Sequence, residues 1–82
     1  MSVVIRDAAF NVVSQYRNLR GILDYTRRCA VERVDIWPGK GGAAQLGITW
    51  VNGSSTMTDF ASFTVCKGWC AARRAFPPAI IH

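Results

Sequence analysis

The first half of the chain carries a helical repeat of apolar residues over positions 9–30. At 100° per residue, one side of this stretch is apolar or small and the opposite arc is charged. The apolar side consists of Val12, Tyr16, Leu19, Ile22, Leu23, Thr26, Cys29 and Ala30. The pattern predicts an amphipathic helix over residues 9–30 and leaves residues 1–8 as an N-terminal arm or a short strand.

After this stretch the apolar period changes to two, the spacing typical of strands with one buried side. Val34 and Ile36 alternate with charged residues, and the run ends at the turn-forming dipeptide Pro38-Gly39. A glycine-rich loop follows, and a second alternating run ends at Trp50. Two strands joined by a flexible hairpin loop are therefore predicted.

The dipeptide Asn52-Gly53 predicts where a third strand begins. It is a strong signal for a two-residue type I′ turn, because both central positions of that turn need a positive φ. Such a turn pairs Ile48 with Met57 on the apolar side of the hairpin. The other side is then exposed to water and rich in threonine, with Thr49, Thr56 and Thr58. The three strands are predicted to form an antiparallel meander whose apolar side must be covered by other elements of the chain.

A second helix is predicted after the third strand. Either Asp59 or Ser62 can cap its first turn, and Pro77-Pro78 stops it. Its apolar stripe is Ala61, Val65, Trp69, Ala72 and Phe76. Trp50 and Trp69 are the largest candidates for the core, and residues 77–82 are interpreted as a C-terminal tail.

These elements predict an α+β fold. The order helix, three-stranded antiparallel meander, helix (αβββα) places both helices on one sheet face. Half of the residues are apolar and 18% are charged, which is enough to bury a core and excludes a disordered chain. The length of 82 residues suits one domain, so residues 1–82 are assigned to a single α+β domain.

The number of cysteines and the hydropathy of the chain predict the cellular compartment in which the protein is found. Cys29, Cys66 and Cys70 are an odd number of thiols, no signal peptide is recognised, and no apolar run reaches the ~18–20 residues of a membrane helix. These features predict reduced thiols in the cytoplasm of the host cell and no contact with a membrane. A zinc site needs a second pair of ligands, which the sequence lacks, so neither a metal nor a cofactor is expected.

The sequence lacks the residue sets that catalysis requires. Its one histidine, His82, is the last residue and a poor candidate for a positioned base. The glycine run at residues 39–42 differs from a phosphate-binding loop, because no hydroxyl residue follows Lys40 and the loop leads into a strand. We therefore expect that the protein is not an enzyme.

The charge of the chain favours binding to an acidic surface or to nucleic acid. Ten lysines and arginines stand against five acidic residues, which gives a net charge of +5. The candidate contact residues lie on the charged side of the first predicted helix and beside the first hairpin loop. They are Arg17, Arg20, Arg27, Arg28, Trp37 and Lys40.

The predicted order of elements resembles the double-stranded-RNA-binding domain over most of the chain. That family grips phosphates with a lysine cluster at the start of its second helix and uses a histidine-bearing loop between its first two strands. The corresponding segments here are residues 62–67, with a single lysine, and residues 38–42, without histidine. The resemblance implies the alternative function, a nucleic-acid-binding domain that contacts phosphates through arginines.

A lone small domain, rich in arginine, alanine and glycine and without catalytic residues, also resembles the accessory proteins of temperate phages. These include anti-CRISPR proteins and other small inhibitors of host machinery, which occupy a surface on a larger complex. The favoured hypothesis is a non-enzymatic binding protein, encoded by a phage or mobile element. It inhibits a bacterial host protein or nucleoprotein complex with an acidic surface by steric occupation. A self-assembling protein, such as a homodimer formed through strand edges, is the third hypothesis.

Overall fold

In the computed structural model, which describes residues 2–82, six strands form one mixed sheet that carries two helices. The elements are β1 (Val3–Arg6), β2 (Val12–Tyr16), α1 (Arg20–Thr26), β3 (Val31–Pro38), β4 (Ala44–Trp50), β5 (Ser55–Phe60), α2 (Phe63–Ala71) and β6 (Ile80–Ile81). The strands lie in the order β2-β1-β5-β4-β3-β6, and only β3 and β6 run parallel. The α+β class is therefore right, whereas the αβββα order with a three-stranded sheet is wrong.

The helix predicted over residues 9–30 is wrong because its first half is a strand. β2 pairs antiparallel with β1, and the turn between them is organised by Asp7. Its Oδ1 accepts hydrogen bonds from the N–H groups of Ala9 (3.0 Å) and Asn11 (2.9 Å). Two valines and a tyrosine in β2 suit a strand, and pairing with β1 satisfies their backbone groups. The helical period of the side chains does not outweigh this pairing, and only α1 is helical.

The predicted hairpin between β4 and β5 is present, but its turn is one residue longer than a type I′ turn. The Gly53 N–H donates to the Trp50 carbonyl (3.0 Å), and the Trp50 N–H donates to the Ser54 carbonyl (2.8 Å). Gly53 has a φ of 88°, which is the left-handed conformation that closes a three-residue hairpin turn. Three residues, not two, therefore separate the paired ends of the strands.

This longer turn moves every side chain of β5 to the opposite sheet face. Ile48 pairs with Thr56 and Leu46 with Thr58, where a two-residue turn pairs Ile48 with Met57. Thr56 and Thr58 are consequently buried, while Met57 is 51% exposed. The prediction of a threonine-rich face in water is wrong for these two threonines.

The second helix is present and begins at one of its two predicted caps. Ser62 Oγ accepts a hydrogen bond from the Val65 N–H at 3.2 Å, so Ser62 is the cap. The side of α2 that faces the core carries Cys66 and Cys70, whereas Val65 in the predicted apolar stripe is exposed. The predicted stripe is therefore rotated relative to the buried side of the helix.

The interpretation of residues 77–82 as a tail is wrong, because they add β6 to the edge of the sheet. Ile80 and Ile81 lie opposite Asp35 and Ile36 of β3. The His82 N–H also donates to the Ile36 carbonyl at 2.9 Å. At the other end of the chain, residues 3–6 form β1, while residue 1 lies outside the described part.

Both helices pack on one face of the sheet, called here the helix-covered face. Trp50 of β4 is fully buried there, and its indole Nε1 donates to Thr26 Oγ1 of α1 at 3.1 Å. The Tyr25 ring meets Trp50 edge-on, with ring centres 4.7 Å apart. The core is completed by Val3, Ile5, Ile22, Val34, Ile36, Ala44, Leu46, Ile48, Phe60, Cys66, Cys70 and Phe76. Neither helix of residues 2–82 has the length and apolarity that a bilayer span requires.

Candidate binding surface

The opposite side of the sheet, called here the open face, carries large apolar side chains that the helices leave uncovered. Because side chains alternate along a strand, the residues that lie between the core positions point to this side. They include Val4, Arg6, Arg33, Asp35, Trp37, Gln45, Gly47, Thr49, Ser55, Met57 and Asp59. Trp37 and Met57, which belong to different strands, are 37% and 51% exposed.

Gly47 brings Trp37 and Met57 together. A Cβ atom built on Gly47 would lie 2.7 Å from Trp37 Cζ3 and 3.1 Å from Met57 Sδ, so both side chains reach across the glycine. The Trp37 ring also stacks on His82, with ring centres 4.7 Å apart and planes 11° apart. These four residues form one continuous surface, called here the Trp37–Met57 patch.

An ion pair between the exposed Arg33 and the buried Asp35 supports the histidine side of this patch. Asp35 is 5% exposed and receives hydrogen bonds from Arg33 Nε (2.8 Å to Oδ2) and Arg33 Nη2 (3.0 Å to Oδ1). His82 Nε2 lies 2.7 Å from Asp35 Oδ1. The Arg33 hydrogen bonds lower the pKa of Asp35, burial opposes them, and the His82 hydrogen bond adds to the lowering. Asp35 is therefore ionised at neutral pH and holds the ring on which Trp37 stacks.

The apolar surface continues from Met57 toward β1. Met57 lines a shallow cavity of about 150 Å³ together with Val4, Arg6, Phe10, Ser55 and Thr56. The Arg6 guanidinium lies 4.5 Å from the centre of the Phe10 ring and donates to the Phe10 carbonyl at 3.0 Å. The open face thus offers a tryptophan, a methionine, a phenylalanine and an arginine along one side of the molecule.

The structure separates the predicted contact residues into two groups. Trp37 belongs to the open face, and Lys40 lies in the 3-10 turn (Lys40–Gly42) beyond the end of β3. The four predicted arginines lie elsewhere, at the two ends of α1. Arg17 and Arg20 are at its start and Arg27 and Arg28 at its end, all of them exposed.

The arginines at the end of α1 differ in their contacts. Arg28 donates to the Tyr16 hydroxyl at 2.9 Å, and its guanidinium lies 5.4 Å from the Tyr25 ring centre. These two contacts hold the Arg28 side chain against the fold. Among residues 2–82, the Arg27 side chain forms a single ion pair, with Asp24 at 4.0 Å, and both side chains are more than half exposed. The predicted basic face of a long helix is therefore replaced by basic residues around a short one.

Sequence patterns alone did not identify Met57 or the Asp35–His82 pair as surface features. The predicted two-residue turn assigned Met57 to the core side, and the interpretation of residues 77–82 as a tail separated His82 from β3. One signal for the exposure of Met57 was present in the sequence. Met57 and Phe60 are three residues apart on β5, so their side chains point to opposite faces of the sheet, and burial of the larger Phe60 leaves Met57 exposed.

The two cysteines of α2 are unsuited to metal binding or nucleophilic chemistry at neutral pH. Burial raises the pKa of Cys66, and burial beside Cys66 raises the pKa of Cys70 to about 12. Within residues 2–82, no group of three histidine, cysteine or acidic side chains is placed to share a metal ion.

The open face and the basic residues around the helices are thus the two candidate binding surfaces of this chain. Comparison with protein-family models, with curated proteins and with solved structures finds no match to this chain.

Proposed function

We propose that this chain is a non-enzymatic binding protein that covers a surface of a protein partner with its open face. The observation that carries the proposal is the Trp37–Met57 patch, in which large apolar side chains are exposed and held in place. Tryptophan, methionine and arginine are enriched at protein interfaces, and a few such residues supply most of the binding energy. Gly47 and the Asp35–His82 pair hold the patch before a partner arrives, which lowers the entropic cost of binding.

The size of the open face is compatible with a specific interface. Six strands at a spacing of about 4.8 Å span about 24 Å, and the eight residues of β3 extend about 26 Å. The resulting area of about 600 Å² approaches the ~800 Å² per partner of a standard protein–protein interface. Loops at the sheet ends, including the one with Lys40, would add to this contact.

The charge of the open face favours a protein over nucleic acid. Arg6 and Arg33 point to this face, and so do Asp35 and Asp59, so positive and negative charges balance there. A surface for nucleic acid places basic residues beside its aromatic ones, because phosphate contacts supply most of the affinity. We propose a bacterial host complex as the source of the partner, in keeping with the small size and basic charge of the chain.

Nucleic acid is the alternative partner, and one observation favours it. Most of the remaining basic residues lie around the helices: Arg17, Arg20, Arg27, Arg28, Lys67, Arg73 and Arg74. If the chain bound nucleic acid, these residues would carry the contact, and the open face would not. The two candidate functions therefore predict opposite effects of mutations on the two surfaces.

The test compares two substitutions of equal charge on opposite surfaces. Met57→Lys places a lysine in the centre of the open face, and Val65→Lys places one on the exposed side of α2. Each variant, checked for its fold by circular dichroism, is immobilised and used to capture protein from nuclease-treated and untreated bacterial lysate. The candidate partner is then purified and its affinity for each variant is measured. We expect Met57→Lys to weaken binding at least ~30-fold, as hot-spot substitutions of about 2 kcal/mol do, and Val65→Lys less than twofold.

Three results would contradict the proposal. Equal binding by Met57→Lys and the unmodified chain would exclude the open face, and Trp37→Ala serves as a second variant for the same surface. Capture that disappears with nuclease and persists in Met57→Lys would favour nucleic acid. A dimer in light scattering that Met57→Lys dissociates, with no other protein captured, would identify the occupant as a second copy of this chain.

A further inference from the structure

Two adjoining cavities on the helix-covered side form a groove that the proposed function does not use. The first, of about 360 Å³, lies between α1 and the segment after α2 and is lined by Leu23, Thr26, Arg27, Ala72, Arg73, Arg74, Ala75 and Phe76. The second, of about 380 Å³, is lined by Lys67, Cys70, Ala71, Arg73, Phe76, Pro77, Pro78, Ala79 and Ile81. Arg73 and Phe76 line both cavities, so the two cavities adjoin at these residues. We refer to them together as the arginine groove.

The cations of the arginine groove have no carboxylate among them. Arg27, Arg73 and Arg74 line the first cavity, Lys67 lines the second, and neither cavity is lined by an acidic residue. The one salt bridge that the described residues give to the Arg27 side chain is the exposed 4.0 Å contact with Asp24. In the part of the chain from residue 2 to residue 82, Arg73 and Arg74 form no salt bridge. Three arginines without an acidic neighbour line the first cavity, and the positive potential that they create favours a bound anion.

Arg73 is held in a position that suits anion binding. Its guanidinium lies 4.9 Å from the centre of the Trp69 ring, in a cation–π contact that fixes the side chain. Its Nε is buried, and no acceptor of the described residues forms a hydrogen bond with it. Stacking leaves the N–H groups of a guanidinium available in the plane of the group, where they match the oxygen atoms of a phosphate. Buried donors in native proteins are nearly always hydrogen-bonded to protein or water, and an anion bound beside Arg73 would supply such an acceptor.

The position of Arg73 and Arg74 after the end of α2 does not by itself explain this arrangement. Basic residues near the end of a helix are favoured by its carbonyl groups. That effect does not account for Arg27, which comes from α1, or for the buried Arg73 Nε. Nor does it account for the apolar wall of Leu23, Ala75 and Phe76 that the guanidinium groups adjoin.

We propose that the arginine groove binds a phosphate monoester that carries an apolar substituent. Arg27, Arg73 and Arg74 would hold the phosphoryl oxygens by charge-assisted hydrogen bonds, and the wall around Phe76 would contact the substituent. The groove lies on the opposite side of the sheet from the open face. The inference is therefore independent of the proposed function and remains testable if that proposal fails.

The test uses phenyl phosphate as the probe, with inorganic phosphate and benzoate as comparison ligands. Binding to the full chain is measured by amide chemical shifts in NMR titrations at constant ionic strength. The variants are Arg74→Gln and Arg27→Gln in the groove, and Arg17→Gln and Arg20→Gln outside it, so that all four remove one positive charge. We expect shifts at the groove residues, affinity in the order phenyl phosphate, phosphate, benzoate, and at least tenfold weaker binding in each groove variant. The two controls should change the affinity less than twofold.

Several results would overturn this inference. Equal weakening in the groove and control variants would show attraction to the net charge of the chain and no defined site. Equal affinity for benzoate and phenyl phosphate would exclude recognition of the phosphoryl group. If a short single-stranded DNA binds more tightly than phenyl phosphate and all four variants weaken it equally, the arginines form a broad polyanion surface. The first two results do not bear on the open face, so they are distinguishable from a failure of the proposed function. The third would also favour the nucleic-acid alternative, and the open-face variant Met57→Lys tests that alternative separately.

Discussion

Trp50 links the sheet to α1 through both packing and a hydrogen bond. It is fully buried, its Nε1 donates to Thr26 Oγ1, and its ring meets Tyr25. Trp50→Phe removes the donor and part of the ring, so we expect a loss of about 2 kcal/mol in the free energy of unfolding. Chemical denaturation measures this loss. Trp69→Phe, at a partly buried position, should cost less, and an equal cost in both variants would show that Trp50 has no special role.

Asp35 makes the stability of the chain depend on pH in the acid range. Because the Arg33 hydrogen bonds lower the folded-state pKa of Asp35, the ionised carboxylate stabilises the folded state. That contribution is complete above the ordinary pKa of 3.8 and is lost as the pH falls through this value toward the lower folded-state pKa. We expect the stability difference between the unmodified chain and Asp35→Asn to shrink from pH 6 to pH 3 in urea titrations. Asp59→Asn, at an exposed position, is the control, and a difference that grows on acidification would contradict this assignment.

At the scale of elements, α2 is held to the sheet by its two cysteines. Burial raises the pKa of Cys66 and raises that of Cys70 to about 12, whereas Cys29 lies outside the helix and is only partly buried. We expect a thiol reagent at pH 8 to modify Cys29 at least tenfold faster than either helical cysteine in the folded chain. In urea the three rates should become similar. Mass spectrometry of the labelled peptides measures the rates, and early modification of Cys70 would show that α2 detaches from the sheet.

Gly47 of β4 determines where the Trp37 side chain of the neighbouring strand lies. A Cβ atom at this position would approach Trp37 Cζ3 to 2.7 Å, which is closer than van der Waals contact. We expect Gly47→Ala to keep the sheet but to displace the Trp37 ring from His82. The expected readout is a change in the ring-current shifts of His82 in NMR spectra, with unchanged circular dichroism. Unchanged His82 shifts would show that the stacked arrangement does not depend on the glycine.

At the scale of the whole molecule, apolar contact area and positive charge lie on different sides. The open face has balanced charges, while the basic residues around the helices carry most of the net charge of +5. Long-range attraction acts mainly on the association rate, and desolvated contacts act mainly on the dissociation rate. For a purified protein partner, we expect Arg17→Gln to lower the association rate and its salt dependence. Met57→Lys should mainly raise the dissociation rate, as surface plasmon resonance at several salt concentrations would show.

The predictions from sequence were right for features that depend only on residues close together in the chain. The presence of a hairpin at Asn52-Gly53, although not its two-residue turn, and the Ser62 cap of α2 both depend on residues within a few positions of one another. The alternation in β3 and β4 also predicted the core positions Val34 and Ile48, since a strand with one buried side repeats every two residues. Residue type and short-range spacing determine these features, and no contact with a distant segment is needed.

The errors concern segments whose structure depends on distant neighbours. Residues 12–16 have a helical period, yet they form β2 because β1 lies beside them. Ile80 and Ile81 are too few to form a strand alone, and they do so because the edge of β3 accepts them. The predicted contact set combined Trp37 with four arginines on the strength of composition, but the sheet lies between the tryptophan and the helical layer.

The amino-acid order therefore establishes the α+β class, the apolar positions of the central strands and the basic charge, because each follows from residue type and short-range spacing. Tertiary packing decides the register of β5, the joining of β1, β2 and β6 to one sheet, and the exposure of Met57. The physical reason is that a strand exposes backbone hydrogen-bonding groups at both edges and two alternate sets of side chains. Which edge is paired and which set is buried depend on the neighbouring strands and on the helices that cover one face.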